Sequence, residues 1–331
     1  MVSDSPSPDD QPKLPAIRDS EAFSLLEILV AAAVLGVMLV FLLAAFNQTS
    51  AVWRRSSDKI ESFQQARTAF DVLRQTLSQA TLNTYLDYDN PTKPTRYLRQ
   101  SELRFYSGPA GAPLPGTANT GQALFYQTPA GYSASTNYAG LENLLNTCGF
   151  YVEFTTNNLV PPHVAPTGNP YRYRLMQLMV PSEDNTIYTA GGNGWFATAT
   201  NAVPVADNVI ALIVRPQDPA TSTNSPALPP NNSYTYDSKA SATADPQPIT
   251  ANQLPPVVQV TLVAVDEASA LKLENGSTEP SFISNALAGK FTDPASYEDD
   301  LSELSKSLSS HKINHRVFSS TVPLRESKWT K

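Results

Sequence analysis

Between Phe23 and Phe46 every side chain but one is apolar or small and uncharged, and the exception is Glu27. A carboxylate inside an apolar helix of membrane length costs about 2.5–3.5 kcal/mol on insertion scales. Two readings follow. Glu27 can sit at headgroup level, near the start of the run, or it can be kept for a cationic partner in a water-poor setting. The other groups that could do chemistry are sparse. His311 and His315 are spaced i,i+4 and would share a helix face, but no Glu lies between them as in a zinc protease. His163 follows two prolines, and surface histidines are the expectation for all three. The stretch Gly191, Gly192, Asn193, Gly194, Trp195 has the glycine content of a phosphate loop without its lysine, and reads as a turn. Glu298, Asp299, Asp300 and Glu303 do not have EF-hand spacing and suit a helix N-terminus. Cys148 is the single cysteine, which excludes an intrachain disulfide and a cysteine zinc cluster. With no paired histidine in view it reads as a small core residue. The 14 tyrosines are scattered, as cross-strand packing requires and a base-stacking platform does not. These residues predict no catalytic constellation, no cofactor and no metal, hence a chain that is not an enzyme.

The elements that must position Glu27 begin with the apolar run itself. At 1.5 Å rise, about 20 residues cross a bilayer core, so 23–46 predicts a transmembrane helix. Beyond it the apolar residues Ile60, Phe63, Ala66, Phe70, Leu73, Leu77 and Ala80 recur in steps of three and four. No proline occurs between Pro15 and Pro91, and Gly36 is the only glycine before Gly108. One continuous helix over about 23–82 is predicted, apolar all round in its first half and amphipathic over 47–82. That second half needs a sheet to lie on; a coiled-coil dimer is the alternative. Residues 1–22 have the composition of a solvated leader. Its five acids outnumber Lys13 and Arg18, and Arg54 and Arg55 follow the apolar run. The positive-inside rule therefore leaves orientation ambiguous. The run is too long for a secretory signal peptide, and no small-x-small cleavage site follows it.

The remaining 83–331 predict a β-rich domain. The 28 prolines and a charged fraction of 16% fit loop-rich β structure, and the net charge of −7 without a basic tract argues against nucleic acid as a partner. Strands are expected at 103–106, 123–127 and 150–155, and at 171–180 on a sheet with one solvated face. A short helix is expected at 141–145. Residues 208–214 and 257–265 read as central strands that pair despite the 42 residues between them. Most of that interval, 216–255, holds eight prolines among Ser, Thr, Asn and Ala and predicts a disordered, mobile excursion. Asp293 and Pro294 read as an N-cap with Pro at N1, followed by a helix and a last strand over 316–324.

The six residues Ala22, Phe23, Ser24, Leu25, Leu26 and Glu27 resemble the prepilin signal of type IV pilins and type II secretion pseudopilins, with Ala22 where Gly is commoner. The resemblance implies processing by a prepilin peptidase between Ala22 and Phe23, methylation of the new Phe23 amine, and retention of the apolar helix as anchor and filament core. It also gives Glu27 a partner, the Phe23 amine of a neighbouring subunit, and an orientation with the N-terminus cytoplasmic. The stretches DNVIALIVRP (207–216) and LPPVVQVTLVAVD (254–266) look like the paired strands of minor pseudopilin J proteins. HRVFSSTVPLR (315–325) with Lys328 and Trp329 is similar to the Verru_Chthon cassette protein C group of prepilin-like proteins. The expectation is an α+β, pilin-like fold, a long N-terminal helix on a mainly antiparallel sheet. Its partners would be prepilin peptidase, other pilin or pseudopilin subunits and the inner-membrane assembly platform. It would be a single-pass inner-membrane protein with a periplasmic C-terminal domain. A membrane-anchored binding or adhesion module that never enters a filament is the alternative.

Overall fold

The computed structural model describes residues 24–110, 114, 119–138, 140–141, 143–157, 159, 161, 169–187, 202–217 and 234–327. The leader, Ala22, Phe23, His163, Gly191 to Trp195, residues 218–233 of the predicted excursion, and Lys328 with Trp329 lie outside them. The fold is α+β. Helix α1 (Leu25–Ser78) is followed by β1 (Tyr85–Tyr88), β2 (Tyr97–Gln100), β3 (Tyr106–Pro109), β4 (Asn119–Thr128), β5 (Asn146–Thr155) and β6 (Arg172–Val180). Then come β7 (Ala202–Asp207), β8 (Val209–Gln217), the two-residue β9 (Tyr236–Asp237) and β10 (Val257–Val265). Helices α2 (Glu267–Lys272), α3 (Ser281–Leu287) and α4 (Tyr297–Ser310) precede the last strand, β11 (His315–Pro323).

The strands form a six-stranded sheet of order β7-β6-β5-β4-β3-β9, a three-stranded sheet β11-β10-β8 and a hairpin β1-β2, antiparallel throughout. β8 and β10 pair across their long connection, as their apolar sequences predict. The principal core lies where α1, both sheets and α4 meet. Ala66, Ala69, Phe70, Leu73, Leu77 and Ala80 pack there with Leu124, Tyr126, Phe150 and Val152 of the larger sheet. The Phe70 ring lies 6.2 Å from that of Phe318 on β11, and Thr76 Oγ1 and Tyr126 OH share a hydrogen bond of 2.7 Å. The amphipathic stripe is thus buried within one chain, against its own sheets.

The opposite face of the six-stranded sheet carries a second, smaller core. Ala123, Phe125, Tyr151, Met176 and Leu178 pack there with Leu103, Tyr106 and Ile187. Period-two alternation sends Leu124 and Tyr126 to one core and Ala123 and Phe125 to the other. Gly149, directly opposite Phe125, is required by this packing, because a Cβ there would collide with the Phe125 ring. The solvated face expected for β6 does not exist: Arg172 and Arg174 are buried. They are compensated by ion pairs, Arg172 to Glu267 at 2.9 Å and Arg174 to Asp207 at 3.3 Å. The carbonyls of Thr155 and Pro170 also accept from Arg174. Charge alternation looked like solvation because the partner acids lie on β7 and α2, far away in sequence.

Four boundaries also differ from expectation. α1 stops at Ser78: its last turn tightens to Gln79 N–Thr76 O (3.2 Å) and Ala80 N–Leu77 O (2.9 Å), and Thr81 N then donates to Gln127 O across the sheet. β3 starts at Tyr106 and not at 103, because the preceding amides bond to side chains. Leu103 N donates to Ser101 Oγ, Arg104 N to Gln127 Oε1 and Phe105 N to Ser238 Oγ. Residues 141–145 form no helix among the described positions, since Leu144 O accepts from Gly131 N across the loop. The largest correction concerns 216–255, of which 234–255 is ordered and packed. Tyr234, Tyr236, Ala251 and Leu254 are buried, and Asp237 accepts two hydrogen bonds from the Arg104 guanidinium at 2.9 and 2.7 Å. Asn252 Nδ2 and Gln247 Nε2 both donate to Arg99 O. Composition counted these polar residues as solvent-seeking, whereas they complete the backbone hydrogen bonding of 99–105. At the C-terminal end, Asp293 caps a 3-10 turn over 294–296 that leads into α4, as its sequence predicts.

Phe70→Ala should destabilise the β-rich unit by about 3–5 kcal/mol through the cavity it leaves. Thermal melts of the full chain over a wide concentration range should show a midpoint independent of concentration, whereas a coiled-coil seam would make it rise with concentration. Tyr236→Ala removes a 2.8 Å hydrogen bond to Gln253 O and an edge contact to Phe105 at 5.7 Å. It should cost about 3 kcal/mol or more; an unchanged denaturation midpoint would show that 234–255 contributes nothing to the fold.

Candidate functional site

The first turn of α1 is built by Ser24. Its Oγ accepts from Leu26 N at 3.3 Å, and its carbonyl accepts from Glu27 N (2.9 Å) and Ile28 N (3.2 Å). Ser24 thus serves as an N-cap, which places Glu27 in the first helical turn, where the helix dipole favours a carboxylate. Glu27 is exposed, and among the described residues it has no ion-pair partner. From Leu25 to Ser50 the helix runs for 26 residues, with a mean hydropathy of 3.0 in its most apolar 18-residue window, long and apolar enough to cross a membrane. None of its hydrophobic side chains is covered: Leu25, Leu35, Phe41, Leu42 and Phe46 are all largely exposed. Each such side chain left in water forfeits about 1.5–3 kcal/mol relative to burial. An apolar surface that goes all the way round suits lipid or other helices and is unlike an interfacial helix, which keeps a charged face. Near the end of this segment Thr49 Oγ1 donates to Ala45 O at 2.8 Å and is satisfied within the helix.

The remaining sequence candidates separate in space. His311 follows the last residue of α4 and His315 opens β11, so they do not share a helix face. His311 Nδ1 lies 3.0 Å from Ser307 O, and its ring packs on Phe282 at 4.1 Å. Glu298, Asp299 and Asp300 occupy the first turn of α4, and Asp300 accepts from Phe291 N at 2.8 Å. Among the described residues no group of three or more His, Cys, Asp or Glu could hold a metal ion. Cys148 is fully buried opposite Tyr126, and desolvation pushes its thiol up to about 11, so it stays protonated at neutral pH and is a poor nucleophile.

One feature escaped the sequence: a cleft of about 420 Å³ lined by Tyr85, Leu86, Tyr97, Arg99, Gln253 and Glu326, among others. The hairpin β1-β2 forms one wall and residues 247–254 form another. Its signal was present in the two Tyr-Leu pairs, at 85–86 and 97–98, which flank Pro91 and Pro94. Scattered tyrosines gave no reason to group them. No protein-family model, curated protein or solved structure matches the chain.

Because the folded thiol is held above its ordinary value of 9.0, its contribution to stability is present below about pH 9 and is lost as pH rises from 9 towards 11. Iodoacetamide at pH 8 should therefore leave Cys148 unmodified in the native chain and label it fully in denaturant. Rapid native labelling would contradict the burial.

Proposed function

We propose that this chain is a minor structural subunit of a type IV pilus-like or type II secretion-like filament, anchored and assembled through its N-terminal helix. In this reading a prepilin peptidase cuts after Ala22 and the Phe23 amine is methylated. The assembly platform then moves the subunit from the inner membrane, N-terminus cytoplasmic and β-rich unit periplasmic, into a bundle of like helices. The observation that carries the reading is the contrast along α1. Its apolar residues up to Phe46 are uncovered, while the stripe of Ala66, Ala69, Phe70, Leu73 and Leu77 is buried on the chain's own sheets. Lipid covers the first group before assembly, and neighbouring helices cover it afterwards. Glu27 fits this history: an exposed carboxylate at a helix start is tolerable near headgroups and becomes useful when a second subunit brings an amine.

A membrane-anchored binding module would have the same helix without needing Glu27, and an exposed cleft on the β-rich unit favours that second reading. Glu27→Leu separates the two. The variant should insert into the membrane as well as the parent, since a charge has been removed from the apolar run. Its incorporation into filaments should drop by about a hundredfold to several thousandfold, because deleting one partner of a buried ion pair costs about 3–5 kcal/mol. Normal incorporation would overturn the filament reading.

A further inference from the structure

We propose that the cleft between the β1-β2 hairpin and residues 247–254 binds a neutral saccharide. Its volume of about 420 Å³ lies within the span of small-ligand pockets, about 300–1,000 Å³. Tyr97 is 63% exposed and Tyr85 44%, yet both rings are held in place. Tyr97 stacks on Tyr88, its direct cross-strand partner, at 4.9 Å, and their hydroxyls hydrogen-bond at 3.3 Å. Tyr85 OH donates to Glu102 at 2.7 Å. Rings fixed before any ligand arrives lose little conformational entropy on binding. The opposite wall is equally fixed: Gln247 Oε1 accepts from Arg99 N at 2.9 Å, and the Arg99 guanidinium donates to Pro248 O (2.6 Å) and Ala251 O (3.2 Å).

The polar groups select among the ligands that could cover a tyrosine face. Arg99 is directed at backbone carbonyls of its own chain, Glu326 places one carboxylate in the lining, and Glu102, outside the lining, holds the Tyr85 hydroxyl. With one cation and one carboxylate the lining carries no net charge, which suits an uncharged ligand better than phosphates, nucleic acids or acidic sugars. Aromatic grooves also accept proline-rich peptides, but that mode relies on donors aimed at peptide carbonyls. Here the amide donors turn inward, Gln247 Nε2 to Arg99 O and Ala242 O, and Gln253 Nε2 to Ile249 O. What the cleft presents is apolar ring face together with the Glu326 carboxylate in its lining. A pyranose offers the complement, a CH-rich face ringed by hydroxyl donors, without charge. The site stands whether or not the chain enters a filament.

The test uses the full chain in a sugar-free detergent, titrated by calorimetry and saturation-transfer NMR with cello-, malto-, xylo- and chitohexaose, an oligogalacturonate and decaproline. At least one neutral hexasaccharide should bind, with a Kd of about 0.1–1 mM. Tyr97→Ala should weaken it by about tenfold or more, and Tyr97→Phe, which keeps the ring, by no more than about twofold. Tyr97 is mostly exposed, so both variants should fold. Three results would overturn the proposal. They are no binding of any neutral hexasaccharide, binding indifferent to Tyr97→Ala, and tighter binding of decaproline or of the oligogalacturonate.

Discussion

The packing of one helical stripe against the chain's own sheets is the interaction on which the rest depends. Phe70, Leu73 and Leu77 have few solvent-exposed atoms, and each fully buried side chain of this size stabilises by about 1.5–3 kcal/mol. That stripe also determines how the two sheets meet. Leu124, Tyr126, Phe150 and Val152 must face it, which sends the alternate residues of the same strands into a second core on the other side. A sheet covered on both faces has no room for uncompensated charge. Arg172 and Arg174 are accordingly paired with acids brought by β7 and α2.

The second organising device is the use of side chains as substitutes for strand neighbours. Arg99 and Gln100 pair with β1 on one side only, and over 101–105 the main chain has no regular partner strand, yet Gln247, Asn252, Ser238, Gln127 and Ser101 supply hydrogen bonds to this stretch. A buried amide left without a partner costs about 1–3 kcal/mol. The polar residues of 234–255 therefore hold this edge together as firmly as a strand would. The same arrangement fixes one wall of the tyrosine-lined cleft.

How much of this was legible follows from range in sequence. Signals that lie within one element could be read: the apolar run, the three-four stripe, the apolar β8 and β10, and the Asp293 cap before α4. Features decided by distant residues could not. The two arginines of β6 looked solvated because Asp207 and Glu267 carry no local mark of their role. The proline-rich composition of 216–255 concealed Tyr234, Tyr236 and the amides that serve Arg99. The missing helix at 141–145 lost to a carbonyl used across a loop. The site was partly legible: Glu27 was evident as a lone charge, whereas grouping Tyr85, Tyr88 and Tyr97 required the hairpin register.

The functional account rests on an apolar helix that has no cover of its own and a carboxylate near its start. If that helix is the core element of a filament subunit, the chain must lose its leader while keeping the helix. A signal anchor would keep both. Intact-mass and N-terminal peptide mass spectrometry on the chain purified from the membrane of its own cells distinguishes these outcomes directly. The account predicts a mature chain beginning at N-methylated Phe23; a chain that retains residues upstream of Phe23, with no processed form, would contradict it.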